Sequence, residues 1–94
     1  MSEVEEQIKE AIYPVLDPHM GISVIEMGIV QSIKVEDGVA EIVIKPTNPG
    51  CMSITRVAVQ VKEFASKVDG IDQVKVTIID HAMADTLNEM LNRE

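Results

Sequence analysis

Residues 29–45 read Ile29-Val30-Gln31-Ser32-Ile33-Lys34-Val35-Glu36-Asp37-Gly38-Val39-Ala40-Glu41-Ile42-Val43-Ile44-Lys45, and this stretch decides the fold. Two runs of alternating apolar and polar residues flank Asp37-Gly38, a pair suited to a type I′ turn because both central positions of that turn need positive φ. A two-residue turn sets Lys34 opposite Glu41, Ile33 opposite Ile42 and Val35 opposite Ala40, so charges pair on one face and aliphatic groups on the other. A three-residue loop would set Ile33 against Glu41 and is rejected for that reason. The hairpin therefore joins a strand from Ile29 to Glu36 with one from Val39 to Lys45.

Beyond the hairpin, Pro46-Thr47-Asn48-Pro49-Gly50-Cys51 leads into Ile54, Val57, Ala58, Val61, Phe64, Ala65 and Val68 at helical spacing, with Arg56, Gln60, Lys62, Glu63 and Lys67 on the opposite side. Asp69-Gly70 ends this helix. Gln73 to Ile79 alternates as a third strand with Val74, Val76 and Ile78 inward. Ala82 to Leu91 then places Met83, Leu87, Met90 and Leu91 on one stripe of a short terminal helix. Ahead of the hairpin, Ser2 and Glu5 have capping-box spacing, and Val4, Ile8, Ala11, Ile12 and Val15 recur at helical intervals until Pro14 and Pro18 stop the helix. Leu16 to Gly28 reads as an ordered loop with one helical turn near Ser23 to Glu26.

The order α-β-β-α-β-α predicts a single-domain α/β fold of two layers, a three-stranded mixed sheet with helices packed on one face. The strand-helix-strand crossover should be right-handed, leaving the second and third strands parallel. This topology gathers the start of the first strand and the ends of the other two at one rim. Asp17, His19 and Glu26 from the first loop, Cys51 from the second, and Asp80 and His81 from the exit of the third strand are all delivered there.

Composition narrows the chemistry available to that rim. Of 94 residues, 46% are hydrophobic but only Tyr13 and Phe64 are aromatic, so few rings can stack on bases or sugars. Sixteen acidic against eight basic residues give a net charge of -8, which repels a phosphate backbone. Nucleic acid is therefore an unsuitable partner. The apolar runs are far shorter than the ~18 residues that span a bilayer, and the acidic N-terminus is unlike a basic leader, so a cytoplasmic protein with no membrane partner is expected. One cysteine excludes an internal disulfide and a tetrathiolate site within one chain.

Cys51 sits at or just before the start of the second helix, where free backbone N–H groups and the helix dipole stabilise a thiolate. A free cysteine can equally be a small buried hydrophobe, and the helix start favours reactivity over that reading. Asp17-Pro18 is a turn opener. Glu26 has the ordinary reading of a solvated or capping carboxylate, His19 and His81 are metal ligands or surface groups, and Asp80 is placed to cap the last helix. Ser53 and Thr55 have no evident base and read as exposed helix surface. No paired acid and base with a substrate pocket is discernible, which points away from an enzyme.

Three ordered motifs then coincide with a known pattern. Asp17-Pro18-His19, Glu26-Met27-Gly28-Ile29-Val30 and Thr47-Asn48-Pro49-Gly50-Cys51 occupy, at matching separations, the Asp-Pro-Glu, Asp-Leu-Gly-Leu-Val and Thr-x-Pro-Gly-Cys motifs of the small iron-sulfur cluster assembly domain of SufT-like and PaaD-like proteins. The run from Ile8 to Ile79 resembles that family. His19 stands where the family has Glu, and Glu26 where it has Asp. Many members carry Trp and Pro after the third strand, whereas Asp80-His81-Ala82-Met83 here continues into a helix.

The resemblance implies a non-enzymatic role in assembling or delivering iron-sulfur clusters, with Cys51 as the functional thiol and Asp17 and Thr47 beside it. It implies a transiently held cluster, and assembly machinery and client apoproteins as partners. One thiolate cannot supply four cysteine ligands, so holding a cluster requires a homodimer, an external thiol, or mixed ligation by His81, His19 or a carboxylate such as Glu26. Two alternatives stay open. One is a protein-interaction module using the outward apolar groups Val30, Val43, Val59 and Ile79, with an incidental thiol. The other is a mononuclear metal site built from Cys51, a histidine and a carboxylate.

Overall fold

The computed structural model describes residues 3–17, 21–46 and 54–92. Its elements are α1 (Glu3–Ile12), β1 (Val30–Glu36), β2 (Val39–Ile44), α2 (Ile54–Ala65), β3 (Gln73–Ile78) and α3 (Ala84–Leu91). The sheet order is β1-β2-β3, antiparallel in the first pair and parallel in the second. Asp37 and Gly38 take φ of 53° and 79°, and the pairs Lys34–Glu41, Ile33–Ile42 and Val35–Ala40 form as the turn chemistry requires.

The inward row of the sheet carries Ile33, Ala40, Ile42, Ile44, Val74, Val76 and Ile78, all buried. Ile8 and Ile12 from α1 and Ile54, Val57, Ala58, Val61 and Ala65 from α2 close over that row. The small Ala58 and Ala65 allow close packing, which an interior poor in aromatics needs. Val15 is buried as well, but outside the helix. Pro14 ends α1 at Ile12, and the chain then turns into a short bridge between Leu16 and Ser23, held by the Val24 N–H on the Val15 carbonyl at 3.0 Å. The helical turn expected after Ser23 forms, its Met27 N–H reaching the Ser23 carbonyl at 2.9 Å.

Three expectations are corrected. A bulge between Val30 and Ser32 inserts one extra residue into β1 and reverses the alternation ahead of it, so Val30 packs against the core instead of facing outward. Asp80 does not cap α3. It adopts φ of 54°, forms an ion pair with Lys45 at 3.6 Å, and leaves Met83 in the N-cap position without a side-chain cap. Finally, Leu87 and Leu91 are buried, but Met83 and Met90 are 45% and 58% exposed.

The rotation of α3 has a specific cause. Asn88 and Asn92 turn toward the outer edge of β3, which has no strand neighbour among the described residues. The Ile78 N–H donates to Asn88 Oδ1 at 2.6 Å and Asn88 Nδ2 donates to the Ile78 carbonyl at 3.0 Å. Asn92 makes the same pair of bonds with Val76, at 3.2 and 2.8 Å. Helix positions 87, 88, 91 and 92 therefore define the packed face, and at about 100° per residue Met83 and Met90 fall outside it. The capping box cannot be followed, since Ser2 lies outside the described residues. The Glu5 carboxylate accepts the Val35 N–H on the opposite edge of the sheet at 3.3 Å.

Candidate functional site

Strand pairing places Val30 beside Ile44 and Ile44 beside Ile78, so the start of β1 and the ends of β2 and β3 do meet at one rim. The Lys45 N–H bonds the Ile29 carbonyl at 2.8 Å and the Ile79 N–H bonds the Ile44 carbonyl at 2.9 Å, continuing both pairings to that rim. The chain leaves β2 through buried Pro46 and is next described at Ile54, the start of α2. Cys51 and Thr47 belong to the connection between these two points and lie outside the described residues, as does His19.

Asp17 is half-buried at the neck of the first loop. Its N–H donates to the Ile22 carbonyl at 3.0 Å, and its carbonyl accepts the Gly21 N–H at 2.7 Å. These bonds close the loop on itself, with Asp17 on the strand leading into it. Leu16 and Ile22, on either side of the neck, are 50% and 37% exposed. The neck thus carries an aliphatic pair next to a carboxylate.

Glu26 is engaged elsewhere. Its Oε1 accepts a hydrogen bond from the Tyr13 hydroxyl, linking the end of α1 to the turn ahead of β1. That bond, with some desolvation and the repulsion between the carboxylate and a phenolate, holds the Tyr13 hydroxyl above the usual tyrosine range. Metal ligation by Glu26 would have to use Oε2 or compete with this bond at Oε1.

His81 is 8% exposed at the exit of β3. The Met83 N–H, just ahead of α3, donates to its Nδ1 at 3.0 Å. Accepting at Nδ1 places the proton of the neutral ring on Nε2. Ligation through Nε2 would require moving that proton to Nδ1, at the expense of the bond from Met83. Among the described residues, no cluster of three histidine, cysteine or acidic side chains could hold a metal ion.

Thr55 was missed as a rim residue. It lies in the first turn of α2, half-buried, with an Oγ1 that is buried and has no hydrogen-bond partner among the described residues. A buried hydroxyl without a partner costs about 1–3 kcal/mol, and no described residue meets that requirement at this helix start. Its place two residues after Ser53, at the start of an apolar helix, was the available signal. Among the described residues, no helix is long and apolar enough to cross a membrane.

Comparison with known proteins supplies what this geometry alone does not. Residues 5–78 match the family model described as iron-sulfur cluster assembly protein. The chain is 40% identical over 91 residues, 96% of each sequence, to an uncharacterized protein of Methanocaldococcus jannaschii. It is 30% identical over 66 residues to the Fe-S protein maturation auxiliary factor SufT of Staphylococcus aureus, covering 69% of this chain and 75% of that one. A domain of unknown function from Bacillus anthracis has the same fold, with a TM-score of 0.75 at 23% identity over 81% of this chain and 74% of that one. A Mycobacterium tuberculosis protein described as associated with [Fe-S] complex assembly and repair superposes with a TM-score of 0.57 at 26% identity, covering 84% of this chain and 76% of that one.

Proposed function

From the premise that the chain belongs to the iron-sulfur cluster assembly protein family, we propose that it is a non-enzymatic accessory factor, acting in the cytoplasm through the Cys51 thiol to assemble or deliver clusters. The observation that carries this reading is the convergence of three strand ends at the rim where the connection between Pro46 and Ile54 begins and ends, a connection lying wholly within the family match. The cluster is cargo. Cys51 supplies a soft thiolate ligand, and Asp17, half-buried at the neck of the first loop, is the carboxylate proposed to act beside it. Glu26, through Oε2, and His81, at the cost of its bond from Met83, are further candidates. Thr47 and His19 complete the proposed set, and the remaining ligands come from a second copy, a small thiol or the client apoprotein.

Anaerobic reconstitution with iron and sulfide tests the proposal. Wild-type protein should develop charge-transfer absorbance, and Cys51→Ala should lose it while keeping the same far-ultraviolet dichroism. Equal absorbance in the two proteins would remove the thiol from the mechanism.

A second reading, that of an interaction module with an incidental thiol, is supported by exposed Leu16 and Ile22 at the loop neck and by exposed Val59 on α2. It predicts that capture of assembly partners survives Cys51→Ser and is lost in Leu16→Ser/Ile22→Ser. The carrier reading predicts loss of cluster transfer in Cys51→Ser whatever the state of that aliphatic pair.

A further inference from the structure

The chain leaves α1 at Ile12 and doubles back before β1, so that residues 13–17 run antiparallel to residues 22–26. The Asp17 N–H on the Ile22 carbonyl and the Val24 N–H on the Val15 carbonyl, both at 3.0 Å, are two rungs between these arms. An antiparallel pattern would next pair the Tyr13 carbonyl with an N–H two residues beyond Val24. Among the described residues no backbone N–H makes that rung, because the second arm has already turned, its Met27 N–H returning to the Ser23 carbonyl at 2.9 Å. Ser23 Oγ makes it instead. The hydroxyl donates to the Tyr13 carbonyl at 2.7 Å and accepts the Ile25 N–H at 3.2 Å.

Ser23 is 4% exposed, and its hydroxyl is used both as donor and as acceptor. Val15 and Val24, on the neighbouring rung, are buried in the core. Apolar burial holds the two arms against the core, but it is non-directional. Hydrogen bonds supply direction, and a buried polar group whose bonds are all made favours one arrangement over near alternatives. The Tyr13 hydroxyl adds its bond to Glu26, so Tyr13 is tied through both its carbonyl and its ring to the turn that leads into β1. That turn ends at Gly28, next to Ile29, whose carbonyl receives the Lys45 N–H at the rim. The base of the arms is thus referenced to the rim. Asp17 stands at their far end, where the Gly21 N–H on its carbonyl closes the loop.

We propose, on the reading of Cys51 and Asp17 given above, that Ser23 is a positioning residue for the rim: its hydroxyl fixes the direction in which the loop neck presents Asp17 to the connection carrying Cys51. Ser23 touches neither cluster nor client and acts through Asp17.

Cys51 is the chain's lone cysteine, so a nitroxide can be attached there in the ¹⁵N-labelled full chain without altering any other residue. The label should broaden the Asp17 and Ile22 amides in wild type. Ser23→Ala should lose that broadening, and Ser23→Thr, which keeps the hydroxyl, should retain it. Cluster absorbance of the unlabelled proteins in the anaerobic reconstitution should likewise fall in Ser23→Ala and hold in Ser23→Thr. Broadening in Ser23→Ala equal to that of wild type overturns the role of Ser23 and leaves the cluster reading standing. Loss in both variants assigns the effect to packing and also overturns it, as does wild-type absorbance in a Ser23→Ala chain whose broadening is lost. No broadening at Asp17 in wild type places the thiol away from this loop, and the pairing of Cys51 with Asp17 falls as well. Absence of absorbance already in wild type removes the cluster reading, and the order of the broadening then decides Ser23 alone. If Ser23→Ala does not fold, hydrogen exchange in the wild-type chain decides: Asp17 and Ile25 amides that open together support a single clip, and an Asp17 amide that exchanges freely while Ile25 stays protected overturns it.

Discussion

The sheet has two ends that are built by different means. At the hairpin end, Asp37 and Gly38 turn the chain in two residues, and the Asp72 N–H bonds the Gly38 carbonyl at 2.7 Å, so β3 is started against the turn itself. At the rim end no tight turn joins the strands. They arrive from three separate parts of the chain, and the groups gathered there are imperfectly satisfied: Thr55 Oγ1 is buried without a partner among the described residues, Asp80 holds a left-handed conformation, and aliphatic side chains stand exposed at the loop neck. Local chemistry completes one end, and topology assembles the other. Unmet polar and apolar demand belongs where a ligand or partner is to be received.

Breaking the hairpin end should have the larger effect on stability. A Cβ on Gly38 would stand 2.5 Å from Asp72 Oδ2 and 3.3 Å from its Cγ, in a backbone conformation with φ of 79°. The carboxylate can swing aside, but the left-handed backbone still disfavours a side chain, so Gly38→Ala should cost about 1–2 kcal/mol. Gly70, with φ of 89° and no atom within 4 Å of a built Cβ, is the control. Chemical denaturation of both alanine variants measures the difference, which is the Asp72 contact. Equal losses would mean that Asp72 does not constrain the turn.

At the rim end the same kind of substitution should act in the opposite direction. Thr55→Val keeps the shape and removes a hydroxyl with no partner among the described residues, so stability should rise by about 1 kcal/mol in chemical denaturation. Should Thr55→Val be destabilising instead, the hydroxyl is satisfied in solution and the contrast between the two ends is weaker than drawn.

The same contrast explains what could be read in the sequence. The hairpin and its register were legible because a two-residue turn and a period of two are local signals. The parallel arrangement and the meeting of strand ends followed from element order. The bulge at Val30 was not legible, since an inserted residue leaves the composition of a strand unchanged while reversing its faces. Nor was the orientation of α3, which Asn88 and Asn92 set by bonding backbone ten and sixteen residues away, respectively. An apolar stripe predicts the buried face of a helix only where apolar contact is what orients it. Asp80 was misjudged for a related reason: capping residues are read by type, but His81 reaches the Met83 N–H and the Asp80 carboxylate goes to Lys45.

The smallest effect expected lies beside the loop that carries Asp17, and it concerns pH. The bond from the Tyr13 hydroxyl to Glu26 raises the tyrosine's pKa, so the folded chain holds that proton more tightly than the unfolded chain does. The resulting stabilisation is complete below the ordinary tyrosine value of about 10 and disappears as pH rises through the higher folded value. Tyr13 is the chain's lone tyrosine, so absorbance near the phenolate band reports it without assignment. Its midpoint should lie above about 10, and Glu26→Gln should bring it down by removing the negative acceptor. The stability difference between wild type and Tyr13→Phe should shrink as pH rises through that midpoint. A midpoint unmoved by Glu26→Gln would release the Glu26 carboxylate from this pairing and return it to the set of groups available to a metal at the rim.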